Sequence, residues 1–416
     1  MDEETFSQYV ANFAKQFPRR CSIKKTEMRG ISLAQLRRIK AFVSSNIQDW
    51  FDTRAPYGPL SMDTVNLYHV NAWLIKPSTT AENCALVELL ADAEQRPDWF
   101  CSHWWGEPIR DFIRCVALHR ETRELNEDEA GLIYWVCAHA NRQHMLDQEL
   151  VKDPSKTSFF KAMNLARGVL LILDANCTPL TRIWCAYEEY TALAKRSKLK
   201  LDIATATGSD TDLLTDGFTD AEERLNNGEG SKQGQGQRLK MHREFAFPLE
   251  VLRKGLRPAL HEAQASVEED RRRILNAIAG KPTKQLDDIP AEMHESYDRV
   301  NKSLAGLFAR AGLPKALSDG SAASAGFAQA SREDTTAHSF SFDFKSMSSE
   351  AERLRMLADS LPDSLTELQL DLSWSRSFPD DEASRLDDSG LAALAAKLPG
   401  GLLRLRLDLS SCSSLG

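Results

Sequence analysis

Ser102, His103, Trp104 and Trp105 stand together in Asp98-Trp99-Phe100-Cys101-Ser102-His103-Trp104-Trp105-Gly106-Glu107-Pro108. Trp184 and Glu188 stand in Thr181-Arg182-Ile183-Trp184-Cys185-Ala186-Tyr187-Glu188-Glu189-Tyr190. A hydroxyl, an imidazole, indoles and a carboxylate are side chains from which a ligand site can be built. Trp184 and Glu188 are four apart and so share a helix face. Ile183, Tyr187 and Tyr190 fall on the adjacent face, which suits burial against a sheet and leaves Glu188 near the rim. Glu189 turns about 100° away. Plainer assignments exist for each: Glu188 as a solvated helix residue, Trp104 and Trp105 as packing aromatics, His103 as a structural histidine. Other chemistries find little footing. His139 with His144, or Cys101 with His103, falls short of the four clustered ligands that zinc wants. Gly280-Lys281-Pro282-Thr283 lacks the G-x-x-x-x-G-K-[ST] pattern of a phosphate loop. Arg271-Arg272-Arg273 follows Glu268-Glu269-Asp270 on one helix, so it makes no basic patch.

The elements that would position these residues read as strand–helix units. Trp99–His103, Leu132–Cys137 and Val169–Leu173 are apolar runs of strand length, and Leu199, Leu201 and Ile203 alternate as a fourth strand. Helical patterns lie between them, with Pro108 where a first turn tolerates it. Strands joined by helices argue for a parallel, doubly wound sheet whose site lies at the carboxyl ends of its strands. The predicted order is flavodoxin-like with the first strand central, and no fifth strand is evident. Ser102 and His103 would line one edge, with Glu188 one helix turn into the later unit.

Before this region, residues 1–95 read as a mixed helical region. Ser32 opens a helix with Leu33, Leu36, Ile39 and Val43 inward, Leu67–Ile75 reads as a strand, and Glu82–Leu90 as a short helix. The α/β region spans 96–206. From 207 to 314 the chain reads as helical. Capping boxes are predicted at Thr219–Glu222 and Ser266–Glu269, and Gly312 and Pro314 act as stops. The Gly/Gln-rich stretch 226–237 reads as a flexible loop, and the Ser/Ala/Gly-rich stretch 315–338 as a linker.

Residues 339–416 contain a repeat. Leu365-x-x-Leu368-x-Leu370-Asp371-Leu372 recurs 37 residues later as Leu402-x-x-Leu405-x-Leu407-Asp408-Leu409, and Phe340-x-Phe342-Asp343-Phe344 stands 28 residues before Leu368-x-Leu370-Asp371-Leu372. Leu357/Leu361 and Leu394/Leu398 would come from returning helices. A period of about 28 with L-x-x-L-x-L resembles leucine-rich repeats. Leu368, Leu370, Leu405 and Leu407 are then expected to point into one solenoid core. The array reads as incomplete, with an open end that would be its least stable part.

The α/β region resembles TIR (Toll/interleukin-1 receptor homology) domains. Phe100-Cys101-Ser102-His103 is similar to their first strand. Ala166-Arg167-Gly168-Val169-Leu170-Leu171-Ile172-Leu173 is similar to the strand before their W-C-x-x-E motif, and Trp184-Cys185-x-x-Glu188 to that motif itself. Cys137-Ala138-His139-Ala140 stands where such chains usually carry an acidic residue, and Asp174 where they carry a serine. The resemblance implies two activities. One is self-association of the domain in signalling. The other is that of an NAD+ nucleosidase, which cleaves the nicotinamide glycosidic bond with Glu188 beside the oxocarbenium-like ribose. Ser102, His103, Trp104, Trp105 and Trp184 would then contact NAD as substrate, with no permanently bound cofactor. The first expectation is a signalling or interaction protein with protein partners at the repeats, and the alternative is the NAD-cleaving enzyme.

The totals fit a folded multidomain chain. Its 416 residues exceed one domain at roughly 150 residues each. The acidic balance, 60 Asp+Glu against 52 Lys+Arg, disfavours nucleic acid and anionic membranes. No apolar run approaches the ~20 residues of a membrane span, and the acidic start Met1-Asp2-Glu3-Glu4 lacks a signal sequence. Eight scattered cysteines without a C-x-x-C pair suit a reducing, cytoplasmic setting.

Overall fold

The computed structural model describes residues 17–54, 58–123, 131–146, 151–195, 198–226, 235–319, 323–344, 351–372 and 388–410. The chain forms two compact units: Met1–Gly217 with Glu262–Glu292, and Phe218–His261 with Met293–Gly416.

The first unit is built on a six-stranded sheet of β1 (Ile31–Ser32), β2 (Trp99–His103), β3 (Ile133–Trp135), β4 (Gly168–Leu173), β5 (Lys200–Thr207) and β6 (Asp210–Leu214), in the order β1-β3-β2-β4-β5-β6. β3, β2, β4 and β5 run parallel, as expected, with β2 between β3 and β4. β1 and β6 close the edges antiparallel. β6 escaped the sequence reading because Asp210-Thr211-Asp212 puts polar side chains on a short edge strand. It pairs with β5 across Gly208, whose φ of 59° suits a hairpin turn.

Side chains alternate across the sheet. Trp99, Cys101, Leu170 and Ile172 enter one core with Leu36, Ile39 and Val43 of α1 (Leu33–Asn46) and Phe112 and Val116 of α2 (Ile109–Arg123). On the other face Phe100 stacks on Trp135 and meets Phe159 of α3 (Ser158–Leu165), and α4 (Ile183–Ala194) covers β2, β4 and β5. The N-terminal region therefore shares the sheet's core, because α1 and its capping strand β1 are covalently continuous through Ser32. That residue opens the helix as expected and forms a reciprocal capping box with Gln35.

Several local readings change. Leu67–Ile75 is helical, not a strand: Leu67–Val70 runs through the π-turn Asn71–Ile75 into Lys76–Thr79. Leu67, Val70 and Leu74 follow a helical spacing, and Asn66 and His69 cap the start reciprocally. Glu82–Leu90 is helical only over Val87–Leu90. β3 ends at Trp135, and Cys137–Ala140 is already a helical turn.

In the second unit α5 (Asp220–Asn226) starts at the predicted Thr219–Glu222 box. The 226–237 loop lies mostly outside the described residues, and α6 (Gln235–Phe245) already begins at Gln235. α7 (Leu249–Gly255) follows. Back in the first unit, α8 (Glu268–Ile278) is capped by Val267 without a side-chain bond, because the Ser266 hydroxyl accepts from Arg182 instead. α9 (Glu295–Asp319) passes straight through Gly312 and Pro314. Gly312 serves packing here: a Cβ would meet the Phe327 ring of α10 (Ala323–Arg332) at 2.2 Å. The expected linker 315–338 is thus partly ordered helix, held by buried Phe327 and Ser331.

A second, parallel sheet carries the repeat. β7 (Ser339–Asp343), β8 (Glu367–Asp371) and β9 (Arg404–Asp408) pair Phe340↔Leu368↔Leu405 and Phe342↔Leu370↔Leu407, in offsets of 28 and 37 residues. α11 (Ala351–Asp359) and α12 (Asp388–Ala396) pack on each other. Leu357, Leu361, Leu368, Leu370 and Leu394 are buried, whereas Leu405 is 44% exposed and Leu407 only half-buried. The expectation for β9 therefore fails in part, since no described element covers its inner row.

Candidate functional site

The polar residues of the first unit gather where β2, β3 and β4 end. Strand alternation separates Ser102 from His103, which sequence order had placed on one edge. Ser102 turns toward α4 and His103 toward α2.

On the α4 side Glu188 is buried (4% exposed), not at a rim, and Glu189 is buried too (2%). Helix α4 is apolar on nearly its whole circumference, so the sheet and its neighbours enclose both carboxyls. Burial pushes Glu188 up to about 8, an effect that nearby Ser102 only partly opposes. The Ser102 hydroxyl is close but is not aligned for a hydrogen bond of ordinary geometry. Burial, and then the neighbouring Glu188, raise Glu189 well above the carboxylate range, and its Oε1 has no partner. Both acids are therefore largely protonated at neutral pH. The thiols of Cys137 and Cys185 are buried too, with Cys137 pushed up to about 12 by burial, and burial likewise raises Cys101 on the opposite face of β2.

On the α2 side the His103 Nδ1 lies 3.0 Å from Glu107 Oε1. Burial pushes the imidazole down to about 4. Burial, then Asp174 and Asp111, push the Glu107 carboxyl up. Both shifts favour the uncharged forms, so the contact is a neutral hydrogen bond in which the Glu107 O–H donates to Nδ1. His103 Nε2 and both ring nitrogens of His139 are buried without partners, and burial holds His139 at about 3.

The indoles diverge. Trp104 lines a cleft of about 240 Å³ with Gly106, Glu107, Pro108, Asp111, Leu173, Asp174, Ala175 and Ala206. This is where the strand order reverses beside β2, the place where doubly wound sheets hold ligands. Trp105 packs on Tyr68 and donates to Cys137 Sγ at 3.1 Å. Trp184 stacks on Phe159 and donates to Asp270 Oδ2 at 3.1 Å, which pins α4 to α8.

The structure thus joins Glu188 to Ser102, gives Trp104 the cleft, and assigns Trp105 and Trp184 to packing. Glu107 and Asp111 are polar residues that sequence reasoning passed over, whereas Asp174 entered it only as an acid in place of a serine and His139 only as half of an inadequate metal pair. Asp174 had a usable signal, being an acid directly after an apolar strand, and Glu107 lies four residues past the end of β2, just before Pro108. Among the described residues no group of three His, Cys, Asp or Glu side chains is arranged to hold a metal, and no helix is long and apolar enough to cross a membrane. No family model, no curated protein and no solved structure matches the chain.

Proposed function

We propose that the chain is a signalling or interaction protein. In this reading the second unit is a leucine-rich-repeat segment that receives a protein partner, and the first unit is a TIR-like module that self-associates. The observation that supports it is the ladder of the second sheet. Its strands pair at the same 28- and 37-residue offsets at which the sequence repeats, as stacked repeats require. The alternate positions Ser339, Glu367 and Arg404 are exposed in one row and would meet the partner. The test is partner capture by the full chain and by its Glu367→Lys and Arg404→Glu variants. Equal capture by all three would remove the repeats from recognition.

A second reading, NAD cleavage with Glu188, is supported by the buried Glu188 carboxyl beside Ser102 at the carboxyl end of β2. Strongly perturbed acids cluster at reacting sites. Because Glu188 is enclosed and protonated, this activity would need the site to open. The measurement is nicotinamide release from NAD by the concentrated full chain. Glu188→Gln is expected to lower the rate by about 10²–10³, and an unchanged rate leaves the interaction reading alone.

A further inference from the structure

We propose that the cleft between Trp104 and Asp174 is a binding site for a small organic cation, an amine carried on a flat or aliphatic body. This site is separate from Glu188, which does not line it, and the inference does not rest on either reading above.

The cleft has an apolar wall and an acidic floor. Leu173, Pro108, Ala175 and Ala206 supply carbon surface, and Trp104 supplies an aromatic face. The indole is held in place by Gly106, where a Cβ would come within 2.1 Å of the ring. A fixed indole face attracts ammonium groups. No lysine, arginine or histidine lines the space, but three carboxyls do.

Two of the three carboxyls are already answered. Asp174 accepts from the Thr178 backbone N–H at 2.6 Å and from its hydroxyl at 2.8 Å. Asp111 accepts from Arg110 Nε at 3.0 Å and Arg114 at 3.1 Å. Glu107 differs. It is buried, its Oε1 is engaged by His103, and its Oε2 has no partner among the described residues while the side chain faces the cleft. A buried acid with one oxygen unbonded and two further acids beside it is neutral by itself and becomes a counter-charge once a positive group docks against it.

An anion has little to bind. The start of α2 borders the cleft, but Pro108 has no N–H and the Ile109 N–H is taken by Val65 O at 2.8 Å. That helix end therefore offers less of the usual anion cradle. The size, about 240 Å³, suits a fragment smaller than a drug-sized ligand, whose clefts run about 300–1,000 Å³.

Binding a cation favours ionised Glu107: the acid gives up its proton to solvent as the amine docks, and neutral His103 moves its own proton from Nε2 to Nδ1, so that Nδ1 now donates to the carboxylate Oε1. The groups that set this balance are His103, Asp111 and Asp174, with Arg110 and Arg114 behind Asp111. Affinity rises with pH as Glu107 ionises, for as long as the amine stays protonated.

The full chain is titrated with benzylamine, benzyl alcohol and benzoate, matched in size and differing in charge, by ligand-detected NMR and calorimetry. The expected result is saturable benzylamine binding at least about tenfold tighter than benzyl alcohol, as a charged hydrogen bond provides. Benzoate binding is expected to be absent, and calorimetry in buffers of different ionisation enthalpy should show proton release. Glu107→Gln, whose amide can still donate to His103, abolishes both the preference and the proton release. Trp104→Leu, at a partly buried position, weakens benzylamine more than benzyl alcohol and serves if Glu107→Gln does not fold. Benzoate binding as tightly as benzylamine, no saturation by benzylamine, or an unchanged preference in the variant that folds would overturn the site.

Discussion

Enclosure, not exposure, gives Glu188 its properties. Its carboxyl is raised from 4.5 to about 8 by burial, so the folded state holds a proton that the unfolded chain has released. Folding then binds more protons than unfolding between those values, and stability falls as pH rises through that window. Glu188→Gln should be near neutral at pH 5 and stabilising at pH 8 by on the order of 2–4 kcal/mol. Urea unfolding of both chains at the two pH values checks this, and a pH-independent difference would place the carboxyl in solvent. Asp202 has the opposite sign. Burial alone would raise it, but the His119 hydrogen bond and the Arg123 charge prevail and hold it well below its ordinary range. Arg123 grips both of its oxygens, at 2.7 and 2.8 Å, and His119 also meets the Tyr134 hydroxyl at 2.9 Å. That stability is present above the ordinary Asp range and is lost as pH falls toward the depressed value. Asp202→Asn should cost about 3–5 kcal/mol at neutral pH, with the difference shrinking in acid; a change under about 0.5 kcal/mol, the ordinary surface value, would mean that the pair is solvated. None of this was legible in the sequence, because Asp202 meets its partners only through β5 folding beside α2.

The parallel core was legible at the level of elements because β4 is an uninterrupted apolar run, β2 and β3 open on apolar residues, and β5 alternates apolar with polar ones. Val169–Leu173 is a five-residue apolar run, the length of a buried strand and far short of a membrane span. Failures came where one pattern fits two structures. Leu67, Val70 and Leu74 serve a helix, yet the same nine residues looked like a strand because they are mostly apolar. Gly312 and Pro314 looked like stops, and only the nearby Phe327 explains the glycine. The site was half legible: Glu188 and Ser102 do meet, but alternation along β2 sends His103 to the other face, and Trp105 and Trp184 are engaged by Tyr68 and Cys137 and by Phe159 and Asp270. In the second sheet the inner rows differ by strand. Leu370→Ala should cost about 2–5 kcal/mol, whereas Leu405→Ala should stay within about 0.5 kcal/mol. Equal losses by thermal denaturation would show that β9 is covered.

At the scale of the whole molecule, each unit is assembled from separated segments of chain. The first needs Glu262–Glu292 after the chain has already contributed Phe218–His261 to the second. The returning segment is bound closely: Gln264 exchanges backbone bonds with Thr181 and Ile183, and Asp270 takes the Trp184 indole N–H. A chain ended before Glu262 should therefore leave α4 with poorly protected amides by hydrogen exchange, while α1 and α2 keep theirs. Protection of α4 equal to that in the full chain would make the returning segment dispensable. Synthesis is vectorial, so the order of emergence matters. Translation at roughly 5–20 residues per second delivers the whole sheet several seconds before α8 arrives to cover α4. During that interval Trp184 has no Asp270, and the outer side of α4 is open to any chaperone or neighbouring nascent chain. A ribosome that pauses between Gly217 and Glu262 would prolong that exposure, so the codons of this stretch influence the yield of folded protein without altering a residue.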